Sequence, residues 1–126
     1  MNIILLIGAA LGLTSVMMAA FIDHSLATLY SGKLLNGLYT AVRYHQLYAI
    51  LITIFGLSLP LIRNEKMRSS LRCSTLIFMT GIILFSFSIY LAAVTGLSSF
   101  TYLTPVGGIL LMAGWVSLLR VATMKP

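Results

Sequence analysis

The sequence predicts an all-α integral membrane protein, a single four-helix transmembrane bundle spanning residues 1–126. Three observations carry that expectation. Four long apolar stretches, Ile3–Ile22, Ala41–Ile62, Cys73–Thr95 and Pro105–Ala122, fill most of the chain and hold only Arg43 and Arg120 as charged residues. Each is close to the about 17–25 apolar residues that a helix needs to cross a bilayer. Composition agrees, with 60% hydrophobic and 8% charged residues, where soluble domains carry about 25% charged residues. The connections are short, and no linker, low-complexity run or internal repeat sets off a soluble domain.

Span one begins at Ile3 with no Lys or Arg before it in a chain that starts at Met1, so it is expected to be retained and not to be the apolar part of a cleaved signal peptide. Gly8, Ala9, Ala10 and Gly12, continued by Ser15 and Ala19, put small residues along one face. Such a stripe lets two backbones approach closely; a seam inside the bundle is the expected use, and homo-oligomerisation the alternative. The segment SLATLYSGKLLNGLYT that comes next is too short, and too broken by Gly32 and Gly37, to cross the membrane. Leu26, Tyr30, Leu34 and Leu38 recur in it at helical spacing, which favours a short helix lying on the outer membrane face over a folded loop.

The connection between spans two and three, RNEKMRSSLR, carries Arg63, Lys66, Arg68 and Arg72. By the positive-inside rule it is expected in the cytoplasm. Arg120 and Lys125 fall on the same side, so six basic residues face inward against Lys33 and Arg43 outward. Both termini are then expected to be cytoplasmic. The formal charge of +6 thus serves orientation and, through those four loop residues, contact with anionic lipid headgroups; no nucleic-acid surface is expected.

Span three contains Cys73, whose isolation excludes a disulfide or a cysteine metal cage within one chain. In span four, Pro105 suits a first helical turn, where its missing N–H has no partner to lose, and Thr104 is the expected N-cap. Gly107, Gly108 and Gly114 repeat the seam-or-oligomer choice of span one. Trp115 is expected in the inner half of the membrane, against lipid or a neighbouring helix, and Tyr30, Tyr39, Tyr44 and Tyr102 in the outer aromatic belt.

Under this topology Asp23 and His24 end span one at the outer face, and Arg43, Tyr44, His45 and Gln46 open span two there. A carboxylate at a helix C-terminus and a cation near lipid both lack a favourable setting, so an Asp23–Arg43 pair is expected. Ser86, Ser88 and Tyr90 in span three, with Thr53 sharing a face of span two with Gln46, extend this into an outer polar network. The candidate ligand-binding residues are Asp23, His24, Arg43, His45, Gln46, Ser86 and Tyr90; a purely structural hydrogen-bond network is the competing reading. Two histidines and one carboxylate make a weak metal set. Glu65, the other carboxylate, lies on the opposite side, and no nucleophile elbow or phosphate loop is present. No catalytic residue, metal or cofactor is expected.

The run Gly81-Ile-Ile-Leu-Phe-Ser-Phe-Ser-Ile-Tyr-Leu-Ala-Ala-Val-Thr-Gly96, then Thr104-Pro-Val-Gly-Gly108 and Gly114-Trp115, resembles the signature half of the domain-of-unknown-function family 423. Thr40-Ala-Val-Arg-Tyr44, Ala20-Phe21 and His24 extend the resemblance over nearly the whole chain. The family pattern has small residues where this chain has Ile22 and Asp23, glutamine and then histidine where it has His45 and Tyr48, and glycine at Phe87. His45 thus stands one turn nearer the surface than the family histidine. The resemblance implies a four-span protein of the bacterial inner membrane and no particular reaction. The expected role is a non-enzymatic accessory or scaffold component, with a membrane-protein partner or a second copy of itself. The alternative is a small transporter or channel element that binds an ion, lipid or metabolite at the outer cluster.

Overall fold

The computed structural model describes residues 1–125, and all regular structure in them is helical. Four helices are each long and apolar enough to cross a membrane: α1 (Ile3–Leu29), α2 (Gly32–Leu61), α3 (Glu65–Thr95) and α4 (Ser98–Ala122). Their connections are so short that successive helices must run antiparallel. Met1 and Lys125 therefore lie at the same end as the basic connection, where the Asn64 side chain donates to the Lys125 carbonyl (3.1 Å).

Local chemistry marks the ends. Asn2 caps α1 by accepting from the Leu5 amide, and its Nδ2 donates to the Gly56 carbonyl of α2 at 2.7 Å. Asn64 caps α3 by accepting from the amides of Lys66 and Met67, so α3 starts well before the apolar stretch at Cys73. Lys66, Arg68 and Arg72 ride on its first turns, with Arg68 paired to Glu65. Gly96 closes α3 with φ +71°, and Gly32 opens α2 with φ +60°; side chains rarely adopt this left-handed region, which suits glycine.

The segment between the first two spans departs from the expected interfacial helix. Its connection is a short loop at Tyr30 and Ser31, and the residues on either side prolong the two helices. Leu26 and Leu38 are buried where α1 and α2 meet α3, not laid on a membrane surface. Thr104 does not cap α4: the preceding turn Ser98–Tyr102 is a 3-10 helix, and the Thr104 hydroxyl pairs with Ser88 of α3 at 2.7 Å. Pro105 does fall in the first α-helical turn of α4.

α1 packs chiefly on α2, α4 chiefly on α3, and α2 meets α3 between them. Small residues set these distances. A Cβ on Gly8 would lie 2.6–2.9 Å from Thr53, and one on Gly56 2.7 Å from the Leu5 backbone. Gly107 lies against the Phe85 backbone and Gly114 against the Phe78 ring. The expected seam is thus intramolecular at Gly8 and Ser15, while Gly12 faces open space. Two apolar clusters result. One gathers Tyr48, Ile52, Phe55, Phe78 and Leu111 toward the basic end; the other gathers Ile22, Leu26, Leu38, Ala41 and Tyr90 toward the opposite end.

Candidate functional site

Between those clusters lies the one histidine of α2. His45 is about 20 Å along the helix from Gly32 at ~1.5 Å per residue, well inside α2 and not at its start. It stands farther along its helix than expected because α2 begins nine residues before the apolar stretch at Ala41. Its ring is wholly buried, with Phe87 at a centroid distance of 5.2 Å.

Both ring nitrogens are engaged. Nδ1 is 3.3 Å from the Tyr90 hydroxyl and Nε2 3.4 Å from Thr14 Oγ1. The Thr14 hydroxyl has one proton, and the Ala10 and Leu11 carbonyls are placed to accept it at 2.9 and 3.1 Å. Thr14 Oγ1 then accepts from Nε2–H, and Nδ1 accepts from the Tyr90 O–H. The reverse assignment strands the phenol proton in the core, where an unpaired donor is costly. A directed chain of hydrogen bonds thus runs from α3 through α2 to α1.

Ser86 lies beside this chain, donating to the Ala41 carbonyl at 2.8 Å. A π-helical turn, Ile83–Phe87, interrupts α3 here. Such a turn adds a residue and rotates the remainder of the helix about its axis, and here Ser86 faces α2 while Ser88 faces Thr104 of α4. Of the expected site, then, His45, Ser86 and Tyr90 come together.

The other expected members do not join them. Asp23 and His24 are exposed on a second π-helical turn, Ile22–Leu26. The Asp23–Arg43 pair does not form: Tyr39, one turn nearer the start of α2, donates to the Asp23 carboxylate at 3.1 Å, and Arg43 is exposed. Among the described residues the sole ion pair is Arg68–Glu65. Gln46 is half-buried outside the chain of bonds, and Thr53 donates to its own helix at Ala49. Arg63, Lys66 and Arg72 are exposed at the basic end, as a headgroup contact requires.

Besides Tyr39–Asp23 and Ser88–Thr104, three polar contacts lie beyond the sequence-based expectation: Thr14 with His45, Ser74 with Ser117 (2.7 Å), and the Trp115 indole N–H donating to the Tyr48 hydroxyl (2.8 Å). Each joins side chains from different spans, so its signal in the sequence is only a polar group within an apolar run. Tyr30, expected in the outer belt, donates to the Ala93 carbonyl at 2.6 Å and ties the first connection to α3.

The protein can be compared with known ones on this footing. The model of the family described as "Protein of unknown function (DUF423)" matches residues 18–108. A UPF0382 membrane protein of Haemophilus influenzae is 31% identical over 85% of this chain and 82% of its own length. The UPF0382 membrane protein YwdK of Bacillus subtilis is 30% identical over 99% of this chain and 98% of its own. The UPF0382 inner membrane protein YgdD of Escherichia coli K12 is 27% identical over 91% and 85%. No solved structure matches. With its four membrane-crossing helices and a match across most of its length, the chain is a small multi-span membrane protein that belongs to the DUF423 family.

Proposed function

We propose that this protein is a non-catalytic accessory or scaffold component of the bacterial inner membrane, with its termini and basic connection in the cytoplasm. One observation carries the role: the polar side chains within the bundle are turned on one another. His45 uses both ring nitrogens inside the chain, and Ser74, Ser86 and Ser88 are each spent on a neighbouring helix. His45 is wholly buried and Tyr90 nearly so. A transport or catalytic site needs polar groups that face a ligand, and Asp23, His24 and Arg43 are instead exposed on the outside of the bundle. The orientation rests on the excess of Lys and Arg at one end. The membrane named for the Escherichia coli relative is an inner one, which supports the location.

Extraction in mild detergent of the chromosomally tagged protein, then native electrophoresis, tests the role. Co-migration with a discrete larger assembly is the expected result. A solitary chain that moves a solute across reconstituted vesicles overturns it.

A further inference from the structure

A long open groove lies between α2 and α4, floored by α3. At the end opposite the basic connection it holds about 570 Å³, bordered by Lys33, Gly37, Phe85, Thr101, Thr104 and Gly108. It continues toward mid-membrane through about 560 Å³ along Tyr44, Tyr48, Met112 and Trp115, the two parts sharing Phe85, Pro105 and Gly108. The walls of the outer part are almost entirely apolar, and those of the deeper part mostly so. From Thr104 to Trp115 the groove tracks about 16 Å of helix at ~1.5 Å per residue, close to the depth of one leaflet of a hydrocarbon core of about 30 Å.

Two glycines make this space. Glycine inside a helix costs about 1 kcal/mol relative to alanine, and Gly8, Gly56 and Gly107 repay it through close helix contact. Gly37 and Gly108 do not: a Cβ on Gly37 would meet nothing within 4 Å, and one on Gly108 only the Phe85 ring at 3.9 Å. The mouth carries the second signal. Lys33 stands there beside Thr101 and Thr104, whose hydroxyls are bonded to Ser98 and Ser88, and it has no ion pair among the described residues. A cation at headgroup depth over an acyl-deep apolar slot is complementary to one kind of occupant.

We infer that this groove holds the acyl chain of an anionic phospholipid, whose phosphate is paired by Lys33. The lipid comes from the leaflet opposite the basic connection. This binding stands whether or not the protein joins a larger assembly.

Trp115 is the only tryptophan in the chain, 45% exposed and at the deep end of the groove, so its fluorescence reports the occupant. The protein is reconstituted into phosphatidylcholine vesicles containing a small fraction of either phosphatidylglycerol or phosphatidylcholine brominated in its acyl chains. Brominated phosphatidylglycerol is expected to show an apparent affinity about fivefold higher, as one Lys beside an anionic headgroup supplies. Lys33→Gln should bring the two lipids level, while Arg43→Gln, which removes an exposed charge not lining the groove, should leave the preference intact. Gly108→Leu should weaken quenching by both lipids without lowering the thermal midpoint. Equal quenching of the wild-type protein by the two lipids, or a preference that survives Lys33→Gln or vanishes in Arg43→Gln, overturns the assignment. Weak quenching of the wild-type protein by both lipids points to a protein helix as the occupant and overturns it as well.

Discussion

Tyr90 donates its phenolic proton to His45 Nδ1 across 3.3 Å, and this bond joins α3 to α2 at the boundary between the two apolar clusters. His45 is the only ionisable side chain of the described residues that is wholly enclosed, which makes the chain of bonds through it the polar anchor of the bundle.

Breaking that anchor has a defined cost. Tyr90→Phe leaves Nδ1 without a donor and should lower stability by about 1–3 kcal/mol, toward the low end if the helices re-pair in the detergent-unfolded state. Thr14→Val should cost less, since Thr14 faces the bundle surface and its contact with Nε2 is the longer of the two, 3.4 Å. Thermal unfolding in detergent measures both. A double-mutant cycle with His45→Phe should give a clear coupling for Tyr90, and strict additivity would refute the bond.

The glycines sort into two classes. Gly8→Ala and Gly107→Ala push a methyl into the Thr53 and Phe85 backbones, and overpacking of this kind costs about 1–3 kcal/mol. Gly12→Ala meets open space and should be neutral or stabilising by up to about 1 kcal/mol through helix propensity. Equal effects at Gly8 and Gly12 in unfolding experiments would return the small-residue stripe to an intermolecular role.

Asp23 should be coupled to Tyr39 and independent of Arg43. In paired substitutions, Asp23→Asn with Arg43→Gln should shift the thermal midpoint additively, as for sites without a shared partner. Asp23→Ala with Tyr39→Phe should lower it by less than the two single changes together, because either change alone removes the same hydrogen bond. Additivity in the second pair speaks against that contact.

Orientation is open to a direct test. A single cysteine at Ser69, in a Cys73→Ser background, should resist an impermeant thiol reagent in intact cells and react once the membrane is opened. The substitution at Cys73 is mild because that residue is exposed and makes no disulfide. Labelling at Ser69 in intact cells reverses the topology.

By itself the sequence determined that this chain lives in a bilayer, crosses it four times and gathers most of its basic residues toward one end. Hydropathy decides these matters, since each apolar run must bury its backbone bonds in its own helix wherever its neighbours stand. It also singled out His45, Ser86 and Tyr90 as polar groups needing partners. Tertiary structure alone decided who those partners are. The left-handed Gly32 starts α2 early and carries His45 inward past Asp23 and His24, so the outer cluster comes apart. Contacts at Gly8 with Thr53 and at Gly56 with Leu5 set the register that brings Thr14 to Nε2. The π-helical turn of α3 directs Ser86 and Ser88 to different helices. The lipid-facing groove is likewise invisible along the chain, for it exists only where Gly37 and Gly108, on helices that hydropathy cannot pair, leave the same space unfilled. Depth and rotation of a helix in hydrocarbon come from the packing of its neighbours, and no single span encodes them.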